Sequence, residues 1–263
     1  MSLPAAAGRS AGVARSGAAE LAALIAASER AVVFTGAGVS VPSGIPDFRS
    51  PGTGLWEGVD PMEVAHVDVW RDDPDRFWSF YRERLALLAD KRPNAAHVAI
   101  AELERAGRVR ATITQNVDGL HRTAGSERLL EIHGSISASV CLRCGGRAGL
   151  DEVLELLGAG GGAPLCAGCE APLKPDVVLF GEMLPLATLS EAERLARQAD
   201  LMICVGSSLL VHPAAGLPAL TLDAGGALAL VTQGETPYDG DAAVKLGGDV
   251  VAELEAVARA LGG

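Results

Sequence analysis

The chain has 263 residues, 49% of them hydrophobic, which suits one large globular domain or a large domain with a smaller inserted module. Its formal net charge is -11, and its 22 Lys and Arg residues form no block, so the sequence argues against nucleic-acid binding. An acidic surface would suit a basic partner, such as a lysine-rich peptide. No apolar run reaches the roughly 18 to 20 residues that a membrane span requires, so we expect a soluble protein without membrane contact.

Residues 1–16 are rich in Ala, Gly and Ser, and the first acidic residue of the chain is Glu20. This composition predicts a flexible N-terminal extension. It lacks the apolar core of a secretory signal, so we expect a cytoplasmic protein. The sequence does not indicate an oligomeric state.

Helical and strand patterns alternate from residue 17 onward. We expect strands at 31–35, 109–114, 129–132, 177–180, 201–205 and 227–231, and helices at 18–28, 94–106, 188–199 and 249–261. Strands that alternate with helices form a parallel sheet covered on both faces. The sequence therefore predicts an α/β fold with a Rossmann-like, doubly wound parallel sheet.

Two stretches interrupt this alternation. Residues 51–93 contain all three tryptophans and clustered prolines, and residues 137–173 contain four cysteines. We interpret them as a helical insertion and a zinc-ribbon module that pack together as a smaller lobe, with a cleft between the lobes. The Rossmann-like domain would then comprise residues 17–50, 94–136 and 174–263.

Two Cys-x-x-Cys pairs lie in the second interruption, and together they comprise Cys141, Cys144, Cys166 and Cys169. Each pair can place two thiolates on one tight turn, and four thiolates complete the tetrahedral shell of a structural zinc ion. Disulfides are the alternative, and an intracellular location disfavours them. We predict one structural zinc ion per chain, whereas the fifth cysteine, Cys204, is predicted to pack in the core.

A glycine-containing turn, Gly36-Ala37-Gly38, follows the first predicted strand. Such turns let backbone amides approach a pyrophosphate at a helix start, although Val41 occupies the place of the third glycine of the dinucleotide-binding pattern. The loop after it brings together an acid, an aromatic ring and a guanidinium, at Asp47, Phe48 and Arg49. The alternative for Asp47 and Arg49 is an ordinary exposed ion pair.

Three further strand ends carry polar residues. The β-branched run 112–114 leads to Gln115, Asn116 and Asp118, a second run leads to His133, and the strand 201–205 leads to Gly206, Ser207 and Ser208. Because strands of an α/β sheet deliver such groups to one crevice, Gln115, Asn116, Asp118 and His133 should converge on one ligand, and Ser207 and Ser208 supply small donors at another strand end. His133 titrates near neutrality and is the candidate base. The four remaining histidines are expected to be structural, with His121 at the surface or capping a helix.

Two extended segments, 174–182 and 209–213, could hold a peptide as an added strand, and ordinary strand and loop structure is the alternative. Taken in order, the glycine turn, the segment 44–49, the polar strand end 114–118, His133-Gly134, the four cysteines, Phe180-Gly181-Glu182 and Gly206-Ser207-Ser208 resemble the sirtuin family. The resemblance extends from about residue 17 to the C-terminus. It implies an enzyme that removes acyl groups from lysine side chains and consumes NAD.

The resemblance also assigns roles to residues of this chain. His133 would be the general base, with Asn116 and Asp118 as further catalytic residues. NAD would contact Gly36, Ala37, Gly38, Ile45, Asp47, Phe48, Arg49, Gln115, Asn116, Val117, Asp118, His133, Gly206, Ser207, Ser208, Asp249 and Val250. The acyl-lysine peptide would contact Val178, Phe180, Gly181, Glu182, Leu210 and Val211. Nicotinamide, free lysine and O-acyl-ADP-ribose would be the products.

The acyl preference depends on the helical insertion. Tyr81 and Arg84 are three residues apart, share a helical face, and resemble the pair that grips acidic acyl groups in one sirtuin branch. That branch usually has Thr where this chain has Asp47, and a plain amphipathic helix is the alternative. We therefore predict a deacetylase and hypothesise an additional desuccinylase activity. Thr232 stands where the family usually has an Asn, so the contact to the adenosine ribose is not assigned.

Two other classes of function are considered. A mono-ADP-ribosyltransferase would use the same NAD pocket without an acyl peptide. A non-catalytic zinc-ribbon module would need neither His133 nor Asn116, and the presence of both argues against it.

Overall fold

The structure is a computed structural model that describes residues 17–46 and 60–262. The predicted extension at residues 1–16 and the loop residues Asp47, Phe48 and Arg49 lie outside the described residues.

The described strands form two sheets. They are β1 (Ala31–Thr35), β2 (Ala111–Thr114), β3 (Leu129–Glu131), β4 (Gly134–Val140), β5 (Arg147–Gly149), β6 (Lys174–Val177), β7 (Leu201–Val205), β8 (Ala227–Val231) and β9 (Val244–Leu246). The larger sheet is parallel, with the order β3-β2-β1-β7-β8-β9, and the smaller is antiparallel, with the order β5-β4-β6. The predicted doubly wound α/β fold is confirmed.

The described helices cover the sheet and build the smaller lobe. They are α1 (Gly17–Ala27), α2 (Pro61–Val64), α3 (Val67–Asp72), α4 (Pro74–Ala89), α5 (Ala95–Arg105), α6 (Leu120–Thr123), α7 (Leu150–Ala159), α8 (Leu186–Gln198), α9 (Leu217–Asp223) and α10 (Val250–Gly262). None of these helices is both long and apolar enough to cross a membrane.

Side-chain alternation along β1 divides the core of the large sheet. Val33 points to the face where α1, α5 and α10 pack, whereas Val32 and Phe34 point to the face that α8 and α9 cover. All five β1 residues are buried, so the strand is a continuous apolar run rather than an alternating one. This double burial explains why β1, β7 and β8 have the bounds that the sequence predicts.

The helical insertion and the cysteine segment share one apolar core. Trp70, Phe77 and Trp78 pack with Cys141, Cys166 and Leu173. Both indole N–H groups donate to the Leu173 carbonyl, at 3.0 Å from Trp70 and 2.8 Å from Trp78. The predicted smaller lobe is therefore present, while its proposed residue boundaries stay a prediction.

The prediction of a core strand at 177–180 is wrong. β6 begins earlier, at Lys174, and pairs antiparallel with β4 in the smaller sheet, not with the parallel sheet. The pairing is close because Gly134, with φ +77°, brings its backbone directly against the Asp176 carbonyl. A Cβ at Gly134 would overlap that carbonyl, so this glycine permits β4 and β6 to pair directly after His133.

Candidate active site at the carboxyl ends of the sheet

The strand order determines where a ligand can bind. The chain runs outward from β1 through β2 to β3 on one side, and from β7 through β8 to β9 on the other. In open α/β sheets, the crevice for ligands lies where this direction reverses, here between the carboxyl ends of β1 and β7. The loops that follow these two strands are 36–38 and 206–208.

Three glycines allow these loops to pack closely. Gly36 N–H donates to the Val205 carbonyl at 3.1 Å, and Gly38 N–H donates to the Gly206 carbonyl at 2.8 Å. A Cβ at Gly38 would lie 2.7 Å from that carbonyl oxygen, and a Cβ at Gly206 would overlap the Val39 nitrogen. These glycines therefore join two backbone loops, and their own amides are occupied.

Other amides on the same loops suit a pyrophosphate. The N–H groups of Ala37, Ser207 and Ser208 donate to no other described residue. Unpaired amides clustered beside a helix start are the donors that phosphate groups prefer. The donor set at this crevice thus fits the pyrophosphate of a dinucleotide.

The polar end of β2 connects to the glycine turn through Ser40. Asn116 Nδ2 donates to the Gly36 carbonyl at 3.2 Å and to Ser40 Oγ at 3.1 Å, and Ser40 Oγ donates to Asp118 Oδ2 at 2.7 Å. Burial raises the pKa of Asp118, and the Leu120 N–H and the Ser40 hydroxyl partly oppose this shift. Asn116 Oδ1 has no partner among the described residues, so it remains available to a ligand.

A buried histidine pair supports this cluster from beneath. His97 Nδ1 accepts from the Asn94 N–H, so the neutral ring carries its proton on Nε2, which donates to Ser40 Oγ at 3.3 Å. The His121 ring lies edge-on to His97, with the ring centroids 4.8 Å apart. His121 Nε2 lies 2.9 Å from Thr35 Oγ1. Burial lowers the pKa of His97 to about 4, and burial with the His97 charge lowers that of His121 to about 3.

His121 differs from its expected role. It was expected at the surface or capping a helix, but only 1% of it is exposed, and Gly119 is the N-cap of α6. Ser40 and His97 are further members of the site that were not predicted from the sequence. The available signal was the helix-start pattern Asn94-x-x-His97, which forms a capping box at α5 and turns the imidazole inward.

His133 has a defined proton arrangement. It follows β3, and its Nδ1 lies 2.9 Å from the Gln115 carbonyl oxygen. A carbonyl only accepts, so Nδ1 carries the proton and Nε2 holds the lone pair. Burial lowers the pKa of His133, and the Gln115 carbonyl partly opposes this effect. The ring is therefore neutral near pH 7, with Nε2 able to take a proton.

Gln115 links His133 to the opposite loop. Its side-chain Nε2 donates to Ser207 Oγ at 3.0 Å, while its own carbonyl holds the His133 ring. The His133 carbonyl in turn accepts from the Val178 N–H at 2.8 Å. The candidate base is thereby fixed between the β7 loop and the segment expected to carry the acyl-lysine.

The expected peptide-binding residues differ in their surroundings. Phe180 is not at a free backbone edge, because its N–H donates to the Ala65 carbonyl and its carbonyl accepts from the Val67 N–H. The Glu182 carboxylate accepts from the Leu179 N–H and pairs with buried Lys174 at 2.9 Å. The side chains of Phe180, Leu210 and Val211 are exposed at 45%, 55% and 37%, so an apolar surface is available there.

Tyr81 and Arg84 lie on one side of α4. The Tyr81 ring stacks on Phe77, with the centroids 4.8 Å apart, and burial raises its pKa to about 12, so the phenol is protonated. The Arg84 guanidinium carbon lies 3.4 Å from the centre of the Phe80 ring, and its Nη1 donates to the Phe80 carbonyl at 3.1 Å. The Arg84 Nε is buried without a partner among the described residues.

The remaining expected NAD contacts lie around the same crevice. Ile45 is 7% exposed, Val250 packs in the same cluster as Val39, and Asp249 Oδ1 accepts from the first amides of α10. The Val117 carbonyl accepts from the Ile136 N–H at 2.9 Å, which connects β2 to the smaller lobe. Contacts of these four residues with NAD stay a prediction.

The four predicted zinc ligands converge. The sulfurs of Cys141, Cys144, Cys166 and Cys169 all lie within 4.8 Å of one another, with separations of 3.4 to 3.5 Å between three of the pairs. Thiolates ~2.3 Å from one tetrahedral zinc ion would lie about 3.8 Å apart, so this set fits. The Cys144 and Arg143 amides approach the Cys141 sulfur and lower its pKa to about 6. The donor set is complete, so a zinc ion here would have no open position for water.

A doubly wound sheet with a glycine-packed switch-point crevice, a fixed histidine and a four-thiol module defines a two-lobed, nucleotide-binding α/β protein. The family model described as the Sir2 family matches residues 36–213. The chain therefore belongs to the Sir2 family, the sirtuins.

Known relatives cover most of the chain. An NAD-dependent protein deacetylase of Sulfolobus acidocaldarius is 46% identical over 220 residues, which are 84% of this chain and 85% of that protein. The NAD-dependent protein deacetylase of Thermotoga maritima is 42% identical over 228 residues, covering 87% of this chain and 92% of that protein. An NAD-dependent protein deacylase of Pyrobaculum aerophilum is 46% identical over 202 residues, covering 77% and 79%.

Solved Sir2 structures are also similar to this chain. A Sir2–p53 peptide–NAD+ complex has a TM-score of 0.84 and 40% identity, and the match covers 92% of this chain and 98% of that one. A Sir2 with deacetylated p53 peptide and 3'-O-acetyl ADP ribose has a TM-score of 0.86 and 40% identity, covering 91% and 96%.

Proposed function

We propose that this chain is an NAD-dependent protein lysine deacetylase that releases nicotinamide, O-acetyl-ADP-ribose and the free lysine. Membership of the Sir2 family and the names of relatives more than 40% identical support this proposal. The observation that carries it furthest is the hydrogen bond between His133 Nδ1 and the Gln115 carbonyl, because it leaves Nε2 as the basic atom.

NAD would be held by both loops of the crevice. The amides of Ala37, Ser207 and Ser208 are suited to the pyrophosphate, and the amide of Asn116 and the carboxyl of Asp118 to the nicotinamide end. When bound, NAD would supply an electrophilic ribose carbon with nicotinamide as the leaving group. Asp47, Phe48 and Arg49 are proposed to complete the pocket, although they lie outside the described residues.

The protein's own groups would then orient and deprotonate. Ser40 and His97 fix the rotamers of Asn116 and Asp118, so these side chains need no reorganisation when the cofactor binds. His133 Nε2 would accept the proton of a ribose hydroxyl, a role worth roughly 10²- to 10⁴-fold in rate. Lys-acyl substrate would approach past Val178, whose N–H holds the His133 carbonyl.

The zinc ion would be structural. Cys141, Cys144, Cys166 and Cys169 would hold it beneath Trp70 and Trp78, and it would keep the smaller lobe folded against β4. Metal binding in such modules contributes to folding free energy directly.

We further propose removal of succinyl groups as a second activity. A protonated Tyr81 phenol and the Arg84 cation on one side of α4 are a donor set that suits a carboxylate. The test compares acetyl and succinyl peptides for wild type and Arg84→Met. If Arg84→Met loses turnover of the succinyl peptide and retains turnover of the acetyl peptide, the carboxylate contact is supported. If the ratio of succinyl to acetyl turnover is the same in wild type and Arg84→Met, the contact is ruled out.

The proposal as a whole is tested by nicotinamide release from NAD, with and without an acetyl-lysine peptide, in wild type and His133→Ala. We expect release that requires both the peptide and His133. Release that ignores the peptide, with ADP-ribose transferred to a protein, would instead support the mono-ADP-ribosyltransferase alternative. Arg259→Ala is the control, because Arg259 is exposed in the last turn of α10, outside every segment assigned to NAD or to the peptide.

The partners and location complete the proposal. Acyl-lysine proteins are the proposed substrates, and the charge of -11 supports basic peptides rather than nucleic acid or an anionic membrane surface. A cytoplasmic location is proposed because four thiols positioned for a metal are typical of reducing compartments.

A further inference from the structure

A second cavity, of about 430 Å³, lies at the opposite edge of the large sheet. Arg110 precedes β2 and Arg128 precedes β3, so the cavity borders the amino ends of these strands, whereas the NAD crevice is at the carboxyl ends. Arg105 and Arg108, at and after the end of α5, complete a set of four arginines. We call this cavity the arginine pocket. Three glutamates also line it.

The four arginines are not held in ion pairs by the glutamates that line the same cavity. Within the described part of the chain, none of them forms an ion pair within 4.0 Å or donates a side-chain hydrogen bond, in contrast to Arg122, Arg147 and Arg194, which are all paired. Gathering unpaired like charges around one cavity costs free energy that a bound anion would offset. With three glutamates beside the four arginines, the lining has a formal charge of +1 in a chain whose net charge is -11.

The positive field of the pocket extends to a nearby helix. The pKa of Glu191 on α8 is lowered, first by its hydrogen bond and charge interaction with Arg194, and then by the charges of Arg110 and Arg128. These two guanidinium groups therefore act together on a carboxylate that they do not contact directly.

Glu104 adds a second kind of group. Its Oε1 accepts from the Arg128 N–H at 2.6 Å, whereas its Oε2 is buried and has no partner among the described residues. A buried acceptor without a donor is unfavourable, and a ligand that brings a hydroxyl or amino donor would relieve that cost once the Glu104 carboxylate turns toward the cavity that it lines. A plain anion has no such donor.

We propose that the arginine pocket binds a small phosphorylated metabolite that carries hydroxyl or amino donors, such as a nucleotide or sugar phosphate. Its phosphates would pair with the arginines, and one donor would bond to Glu104 Oε2. The volume is within the roughly 300–1,000 Å³ of small-molecule sites, and a concave pocket on an acidic protein disfavours a nucleic-acid strand. This site is separate from the NAD crevice and does not depend on the proposed deacetylase activity.

The test is calorimetric titration with three probes, ATP, glucose 6-phosphate and inorganic tripolyphosphate, in the presence of saturating NAD so that the crevice is occupied. We expect one binding site per chain for ATP or glucose 6-phosphate, and the tighter of the two identifies the source. The double variant Arg110→Gln/Arg128→Gln should weaken binding at least tenfold. Arg259→Gln, which removes an exposed arginine on α10, should leave it unchanged.

Glu104→Gln separates the donor contact from simple charge attraction. The amide can still accept from the Arg128 N–H, but it no longer offers a second acceptor. We expect weaker binding of the metabolite and no weakening for tripolyphosphate. The proposal is overturned if no probe binds, if the double variant binds like wild type, if Arg259→Gln weakens binding equally, or if tripolyphosphate binds tightest.

Deacetylation and thermal unfolding of the double variant are measured in parallel. Unchanged values show that the variant folds and keep the two proposals separable, because His133→Ala should lose deacetylation and retain probe binding. If the double variant does not fold, the single variants Arg105→Gln and Arg108→Gln, whose residues are exposed, replace it with the same expected direction.

Discussion

The buried histidine pair beneath the active site should make this fold sensitive to mild acid. His97 and His121 are 0% and 1% exposed, and their pKa values are lowered from 6.5 to about 4 and about 3. Because the folded-state pKa values are lowered, the unfolded chain binds protons that the native chain does not bind. The free energy of unfolding is therefore highest above pH 6.5 and falls as the pH decreases through 6.5 toward the folded-state pKa values.

The magnitude follows from these values. At pH 5 each histidine of the unfolded chain is almost fully protonated and each native one is almost fully neutral, which costs about 2 kcal/mol per residue and about 4 kcal/mol for the pair. That is a large part of the 5–15 kcal/mol by which domains are typically stable. Protonation of His97 at Nδ1 would also remove the acceptor of the Asn94 N–H and thereby break one half of the capping box at α5.

Urea unfolding at pH 7.5 and pH 5.0 measures this effect. Wild type should lose about 4 kcal/mol more than a double variant His97→Gln/His121→Gln, and His121→Gln alone should remove about half of the difference. Acid also affects the cysteines and carboxyl groups, but these effects are the same in wild type and in the variants and cancel in the comparison. His212→Gln is the exposed control and should behave as wild type. Equal acid sensitivity of wild type and double variant would refute the reasoning.

Three further outcomes are expected. The kcat/KM for deacetylation should rise with pH through a value below 6.5 and level off by neutrality, since burial lowers the pKa of His133, and a midpoint at or above 6.5 would contradict the assignment. Cys166→Ser should reduce bound zinc, measured by elemental analysis, from one per chain to none and lower the melting temperature; retained zinc would count against the four-thiol site. Gly206→Ala should lose about 1–3 kcal/mol in urea unfolding and weaken NAD binding, because its Cβ would overlap the Val39 nitrogen at φ +60°. Gly107→Ala is the matched control, with φ +69° and no atom within 4 Å of the added Cβ, so equal losses would rule out the overlap.

Much of the large domain can be predicted from local pattern. A strand buried on both faces is an unbroken run of apolar residues, so 31–35, 201–205 and 227–231 could be bounded correctly. The cysteine spacing similarly predicts the converging thiols, because each Cys-x-x-Cys turn is local.

The predictions from sequence are wrong where contacts between residues distant in sequence determine the structure. Residues 177–180 have the composition of a core strand, yet β6 pairs with β4, since the approach of Gly134 to Asp176 is a tertiary contact that no local pattern encodes. His121 is a polar residue that follows a turn, a position typical of the surface. However, α6 packs against α5 and removes the His121 ring from water.

The sequence by itself determined which groups this protein offers: a glycine turn, polar strand ends, one histidine after β3 and four spaced thiols. These are local properties, because they depend on residue type and on spacing along one element. Only the tertiary structure decided that the Gln115 carbonyl fixes the proton on His133 Nδ1, that Ser40 joins Asn116 to Asp118 above His97, and that four unpaired arginines share one pocket. The physical reason is that hydrogen-bond geometry and burial depend on atoms distant in sequence, which come together only when the sheet closes.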